Sequence, residues 1–405
     1  MTLLVRRNSM RKLRIIVLVM LLFILSSCGG AENIQELTYV VAIGVDYDEE
    51  AKQYLIYTMA LDFSGVAKQE GQKQSQSVPI WIGKAKGHTV SEAISGLQKS
   101  TQPKLYLKHV KTFLFSEKVL QTKLSDVLGD IGRLDFFRQS DYLFGTDSSI
   151  EDIFSTRALF DFPPNYSILL KPLGEETENY LKHIPYREFI SRFYEPVGAS
   201  YIPAIGVKKS WEKNRSKYPG LTIKGAYFYE DQGFTGYKSI RSIKGIRWSE
   251  KEEMENTYTL GDKEKPHTVV KITTSDLKVK VRKNKDKPVF DLFIKGEADI
   301  LESLQKVSES KIQEDLEKTI KEEIDGTFKE GLAIKTDVLR IGTKWFRNNK
   351  NEYLAFRERH QLEPFYLDEN SIRNIRVKVK LHSTYNYKLK TRTNIWDMKS
   401  IYMRD

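Results

Sequence analysis

Few side chains in this sequence are equipped for covalent or metal chemistry. It holds one cysteine, Cys28, and six histidines in 405 residues. The histidines, His88, His109, His183, His267, His360 and His382, are scattered, and HExxH and its relatives are absent. Gly83-Lys84-Ala85-Lys86-Gly87-His88-Thr89 has the look of a phosphate loop but lacks the four-residue gap before a Gly-Lys-Ser/Thr ending. Neither GxGxxG nor a GxSxG elbow occurs. Asp46, beside Gly44 at the end of an apolar run, could present a carboxylate to a site, but its simpler role is to end a strand. These residues predict no catalytic, metal or cofactor site, and therefore a non-enzymatic module.

Cys28 stands apart because of what precedes it. Arg6, Arg7, Arg11, Lys12 and Arg14 are followed by the unbroken apolar run Ile15 to Leu25, then Ser26-Ser27-Cys28-Gly29-Gly30. A basic stretch, a short apolar stretch and small residues make a secretory signal. The run is shorter than the roughly 20 apolar residues that span a bilayer. Leu25-Ser26-Ser27-Cys28 resembles the bacterial lipobox, whose cysteine is lipidated and becomes the first residue of the mature chain. The resemblance implies residues 1–27 as a lipoprotein signal peptide and Cys28 as the lipid attachment site, carrying diacylglyceryl and palmitate-type chains. A lone cysteine in an exported chain also calls for a reason.

The net charge is +11, of which five charges belong to the signal; the remaining +6 is too small an excess to announce a nucleic-acid binder. It suits a body held near an anionic membrane. Hydrophobic residues at 40% and aromatics at 11% indicate packed domains. A body of this length forms two or three of them.

These domains must supply the rest. Leu37–Tyr47 and Gln53–Leu61 read as a hairpin whose first strand is buried on both faces. Val78–Lys86 is a third strand. Thr89 and Glu92 form a capping-box pattern at the start of a helix. Lys104–Phe115 is a fourth strand containing His109, Ser116–Leu128 a helix, Asp141–Thr146 a strand and Ser149–Phe154 a helix. This order predicts a mixed sheet with helices packed on it. A Pro-rich connector follows over 162–205, with a helix at Glu188–Tyr194. Pro219-Gly220 reads as a turn at a domain boundary. Beyond it come a strand at Leu221–Tyr229, a loop and short helix over Gly233–Trp248, and a hairpin of Val269–Arg282 with Val289–Ile300. The helix Ser303–Phe328 carries Ile312, Leu316, Ile320 and Ile324 at four-residue spacing, with Gly326 and Gly331 interrupting it. Thr336-Asp337 can cap a helix running toward Arg359, and Ile372–Tyr387 is a last strand. The predicted fold class is multidomain α+β, or mixed α/β. Residues 28–205 form an N-terminal region (divisible into two subdomains), 218–387 a C-terminal domain, and 388–405 a polar tail.

Several stretches together resemble the Ger(x)C family, the lipoprotein C subunits of nutrient germinant receptors in endospore-forming bacteria. They are Val41-Ala42-Ile43-Gly44-Val45-Asp46 after the lipobox cysteine, Leu107-Lys108-His109-Val110-Lys111, Gly225-Ala226-Tyr227-Phe228-Tyr229 with Gly236-Tyr237, and Asp337-Val338-Leu339-Arg340-Ile341-Gly342 before Trp345. Lys108 stands where the family usually has glycine, and Gly29-Gly30 where many members have Trp-Asp. The resemblance implies a non-enzymatic, three-domain body on the outer face of the inner spore membrane. Its implied partners are an integral-membrane A subunit and a transporter-like B subunit. The alternative is a solute-binding lipoprotein that delivers a small nutrient to a transporter; it needs two matched lobes around a cleft. A surface hydrolase is disfavoured because no triad or metal set can be named.

Overall fold

The computed structural model describes residues 37–61, 78–102, 104–162, 164–171, 181–250, 256–282, 287–361 and 365–383. The first half builds one large sheet. The strand β1 (Leu37–Asp48) is apolar on consecutive positions, so it needs cover on both faces, and Val40 through Val45 are buried. It pairs antiparallel with β2 (Gln53–Leu61), which pairs with β3 (Ile80–Gly87). The helix α1 (Val90–Ser100) follows, its first turn closed by Thr89, whose hydroxyl accepts the Glu92 N–H at 3.1 Å. The Glu92 carboxylate reaches back one residue further than the capping box requires, to the His88 N–H at 2.7 Å.

The fourth predicted strand is two strands. β4 (Lys104–Tyr106) and β5 (Thr112–Ser116) are separated by a 3-10 turn at Leu107–His109, closed by the Val110 N–H on the Leu107 carbonyl. β1 shifts register between Val40 and Ala42, and the turn lets the chain meet it first at Leu37–Tyr39 and again at Ala42–Val45. His109 therefore packs, with its ring tilted, against Tyr39 and Tyr106 at the sheet end. The helices α2 (Glu117–Thr122) and α3 (Leu124–Ile131) lead to β6 (Tyr142–Thr146), then α4 (Ile150–Ser155) and α5 (Tyr186–Phe193) lead to β7 (Ser200–Lys213). β1, β5, β6 and β7 run parallel. Helices α1, α2, α3 and α5 share a core with one face of the sheet, and α4 with Leu169 and Leu170 covers the other.

The sheet continues past the predicted boundary. β7 turns back into β8 (Ser216–Glu230), and β8 into β9 (Gly233–Ser239), giving the order β3-β2-β1-β5-β6-β7-β8-β9. The turn is Asn214-Arg215, both with positive φ, as a two-residue hairpin requires; Pro219-Gly220 lies inside β8. The ladder is irregular between Lys208 and Trp211, opposite that proline, and such an irregularity tolerates its missing N–H. Gly233–Ser239, expected as a loop, is a strand.

The second half is a four-stranded sheet, with β10 (Asn256–Asp262), β11 (Lys265–Arg282), β12 (Val289–Ser303) and β13 (Ile372–Ser383) in that order. β10 carried no sequence expectation. The β11–β12 ladder is the predicted hairpin; its turn residues 283–286 lie outside the described residues. The helix α6 (Glu309–Ala333) packs Ile312, Leu316, Ile320 and Ile324 onto this sheet and runs without a break through Gly326 and Gly331. It begins at the Ser308 cap, because β12 extends to Ser303. The predicted helix toward Arg359 is two, α7 (Ile341–Asn348) and α8 (Lys350–Arg359), broken at Asn349. A 3-10 turn at Lys244–Trp248 docks on α6, where buried Arg247 bonds Glu323 at 2.6 Å. Residues 384–387 of the expected last strand lie outside the described residues, as do Cys28 and the expected signal peptide, residues 1–27.

Candidate functional site

The two units meet along a seam built from buried charge. At the end of β8, Glu230 precedes the turn Asp231-Gln232, both at positive φ, which starts β9. One Glu230 oxygen accepts the Gly198 N–H at 3.0 Å, and the other accepts the Asp337 N–H at 3.1 Å. Gly198 takes φ +88, and a side chain there would press on Thr343 Oγ1 at 2.5 Å, so this approach needs glycine. Asp337 in turn accepts the N–H of Ile341 at 3.0 Å, the N–H of Gly342 at 2.7 Å and the hydroxyl of Tyr366 at 2.6 Å. Asp337 thus caps α7, across a left-handed Arg340. Its own carbonyl accepts the Ala199 N–H at 3.1 Å. Trp345 packs against Tyr366, Tyr353 and Phe356 beneath this cluster.

Arg340 reaches the other way. It donates to the carbonyls of Gly198 and Ala199 and to Glu195 at 2.7 Å, and Arg347 holds the second Glu195 oxygen at 2.9 Å. Further along, Arg192 of α5 forms a bidentate pair with buried Glu250, both distances 2.7 Å, and bonds Glu188 at 2.5 Å. Burial alone would raise the Glu250 carboxyl, but the Arg192 hydrogen bonds and charge outweigh it and hold it below its ordinary value. Glu230 has no such cation in contact. Burial, then the Asp337 charge, raise it from 4.5 to about 8. Burial raises Asp337 as well, against three hydrogen-bond donors and Arg340. Both carboxyls are raised by burial, and the two titrate as one coupled pair.

An open cavity of about 1250 Å³ adjoins the seam. Glu230 and Tyr366 form one wall, and Phe328, Leu332 and Phe365 supply apolar surface. Six of its rim charges pair off, Arg357 with Asp231 at 2.7 Å, Lys329 with Asp325 at 2.7 Å and Lys287 with Asp368 at 3.6 Å, and Lys335 and Glu369 add one charge of each sign. The cavity therefore presents an apolar interior without a concentrated charge of either sign.

The residues weighed in the sequence do not converge here. Asp46 accepts the N–H of its neighbour Tyr47 at 2.8 Å, a strand-end role. His183 is half-buried with its Nε2 shut off from solvent, and burial lowers it to about 4, so it is neutral. His267 bonds Asp315 and Thr268, His382 bonds Glu297, and His360 stacks on Phe356. Among the described residues, no group of three or more His, Cys, Asp or Glu could hold a metal ion, and no helix is long and apolar enough to cross a membrane. Asp337 was legible as a cap. Glu230 was not: it reads as the polar end of an aromatic strand, and its partner lies 107 residues away.

The comparisons with known proteins agree with this architecture. Residues 30–207 match the family described as "Spore germination protein N-terminal domain", and residues 223–385 match "Spore germination B3/ GerAC like, C-terminal". Spore germination protein B3 of Bacillus subtilis (strain 168) is 24% identical over 342 residues, covering 80% of this chain and 88% of that protein. Spore germination protein A3 of the same organism is 25% identical over 183 residues, 42% of this chain and 48% of that protein. The crystal structure of the GerBC protein superposes with a TM-score of 0.50 at 19% identity, over 86% of this chain and 99% of that one, a likeness of fold. The chain belongs to the Ger(x)C family of spore germination proteins.

Proposed function

We propose that this chain is the lipid-anchored accessory C subunit of a nutrient germinant receptor, acting in spore germination through protein contacts. Lipid on Cys28 holds it at the outer face of the inner spore membrane, beside integral-membrane A and B subunits. The observation that carries this reading is the succession of both spore germination domains behind a lipobox-like cysteine. The seam supports a mechanical rather than chemical part. Its buried groups bond across the two units, so a displacement imposed on one is passed to the other. Tethering raises the effective concentration of the body near membrane partners.

The test is Cys28→Ala. The variant keeps its circular dichroism and thermal transition but leaves the membrane fraction, and spores carrying it respond poorly to nutrients. Retention of the variant on membranes would refute the anchoring. The cavity beside Glu230 favours a second reading, delivery of a small solute to a transporter. Calorimetric titration of the chain with amino acids and sugars separates the two, since saturable micromolar heat would favour delivery.

A further inference from the structure

One exposed surface has no role in the fold or the seam. It joins residues 158–162 and 164–171 to the tip of the β7–β8 hairpin. Tyr218 on β8 donates its hydroxyl to the Ala158 carbonyl at 3.3 Å. From there three rings run outward: Phe160 and Phe162 have centroids 6.0 Å apart, Phe162 and Tyr166 5.7 Å, and the Lys171 ammonium lies 5.9 Å from the Tyr166 ring. On the hairpin, Trp211 pairs with Tyr218 across the ladder. Phe160 is 83% exposed, Tyr166 63%, Trp211 57% and Phe162 53%.

The rings stand on a fixed base. Thr112 in β5 donates to the Leu169 carbonyl at 2.6 Å, and Leu169 and Leu170 are buried against the sheet. Phe160 has φ +59, a left-handed backbone that a bulky residue adopts only when its surroundings hold it there. Around the rings the hairpin tip exposes Lys208, Lys209, Lys213, Arg215 and Lys217 against one acid, Glu212.

Clustered exposed aromatics mark a binding surface. Lysine is depleted at the core of protein–protein interfaces, so five cations around a tryptophan do not suit a protein partner. Rings at headgroup depth and cations on lipid phosphates do suit the surface of an anionic bilayer. We propose that this surface lies in the headgroup layer of an anionic membrane and fixes the orientation of the body. For the tether, though not for the surface itself, the inference rests on lipidation of Cys28. Cys28 and Leu37 are nine residue steps apart, a reach of at most about 32 Å. Such a tether retains the body without orienting it. Along the strands, about fifteen residues, or roughly 50 Å, separate Leu37 from Trp211. With both contacts made, the strands tilt from the bilayer plane by no more than about 40°, and the α1 face of the sheet looks away from it.

The experiment uses the lipidated full chain carrying Ser210→Cys or Ser95→Cys, each labelled with a nitroxide. Residue 210 is on the hairpin tip, and residue 95 is exposed on α1. The chain is placed on vesicles of phosphatidylcholine alone or mixed with phosphatidylglycerol. Collision with oxygen reports lipid, and collision with a water-soluble nickel chelate reports solvent. The expected result is lipid exposure at 210 only on the mixed vesicles, and solvent exposure at 95 on both. Each cation near an anionic surface is worth roughly fivefold, so Lys209→Ala with Arg215→Ala lowers the ratio of lipid-exposed to solvent-exposed label roughly 25-fold. Phe160→Ser with Phe162→Ser abolishes the signal. Solvent exposure at 210 on vesicles that float with the protein overturns the proposal and leaves anchoring intact. A second labelled thiol per chain reports an unmodified Cys28 and overturns the anchoring reading; lipid exposure at 210 then still supports the surface. Failure to float on either vesicle overturns both.

Discussion

Glu250 and Glu230 are acids on the same seam, and the fold holds them in opposite states. Glu250 is clamped by both nitrogens of Arg192, and its carboxyl stays below the ordinary range. Glu230 faces another carboxylate and a tyrosine, and its carboxyl is raised to about 8. Burial acts on both in the same direction, so the partner decides the outcome. The α5 end of the seam is therefore locked by an ion pair across the neutral range. The Asp337 end is one proton away from a buried repulsion.

The largest effect tests the locked end. Arg192→Ala leaves Glu250 buried without its cation, and breaking such a pair costs about 3–5 kcal/mol. Glu250 has a lowered carboxyl, so its stabilisation is full above the ordinary 4.5 and disappears as pH falls through the folded value. Chemical denaturation of the variant should show the loss at pH 7 and a shallower decline into acid. An unchanged midpoint would mean that the clasp does not contribute to stability.

Asp337→Ala comes next. It removes the acceptor for two α7 N–H groups and the Tyr366 hydroxyl, a loss of about 2–4 kcal/mol partly offset by relief of the carboxylate pair. It also makes a prediction that stability alone does not: without the neighbouring charge, the Glu230 carboxyl moves down toward 4.5. Carbon-detected NMR titration of that side chain reads the shift, and a carboxyl unmoved by the substitution would assign its raised value to burial alone.

Glu230→Gln has a smaller effect, and its sign depends on pH. A carboxyl raised on folding stabilises fully below the unfolded value of 4.5, and that contribution is lost as pH rises through about 8. Glutamine carries no proton to lose. Melting of the wild type should therefore weaken from pH 5 to pH 8.5 relative to the variant. Parallel pH profiles would show that Glu230 is not the titrating group.

The contrast between these acids also marks what the sequence could disclose. The α6 core face followed from Ile312, Leu316, Ile320 and Ile324, because a helix repeats its buried face locally. The β11–β12 hairpin followed from alternation, and the α7 cap from Asp337 ahead of an apolar run. Pro219-Gly220 misled because the pair favours turns, whereas here a ladder irregularity accommodates it within β8. The states of Glu230 and Glu250 were hidden for another reason. Each depends on a partner 58 to 107 residues away, and no local pattern names that partner. The exposed aromatics of Phe160, Phe162 and Tyr166 were equally silent, since in sequence they look like core.

The smallest predicted effect lies at the cavity rim and separates buried from exposed pairing. Arg357 and Asp231 meet at 2.7 Å, a shorter contact than several within the seam, yet both side chains are 38% exposed. Distance alone would rank this pair beside Arg192–Glu250. Water and salt screen it, and ordering two mobile side chains offsets much of the attraction, so pairs of this kind contribute about 0–1 kcal/mol. Arg357→Ala should shift the denaturation midpoint by no more than that, and less still at high salt. It also deletes the cation matched to Asp231 and leaves the cavity rim with an unbalanced acid. If a solute does enter beside Glu230, the variant should favour cationic over anionic probes in calorimetry while its stability hardly moves. A loss as large as that of Arg192→Ala would instead place Arg357 in the seam itself, and the division between a locked end and a titratable end would have to extend to the cavity wall.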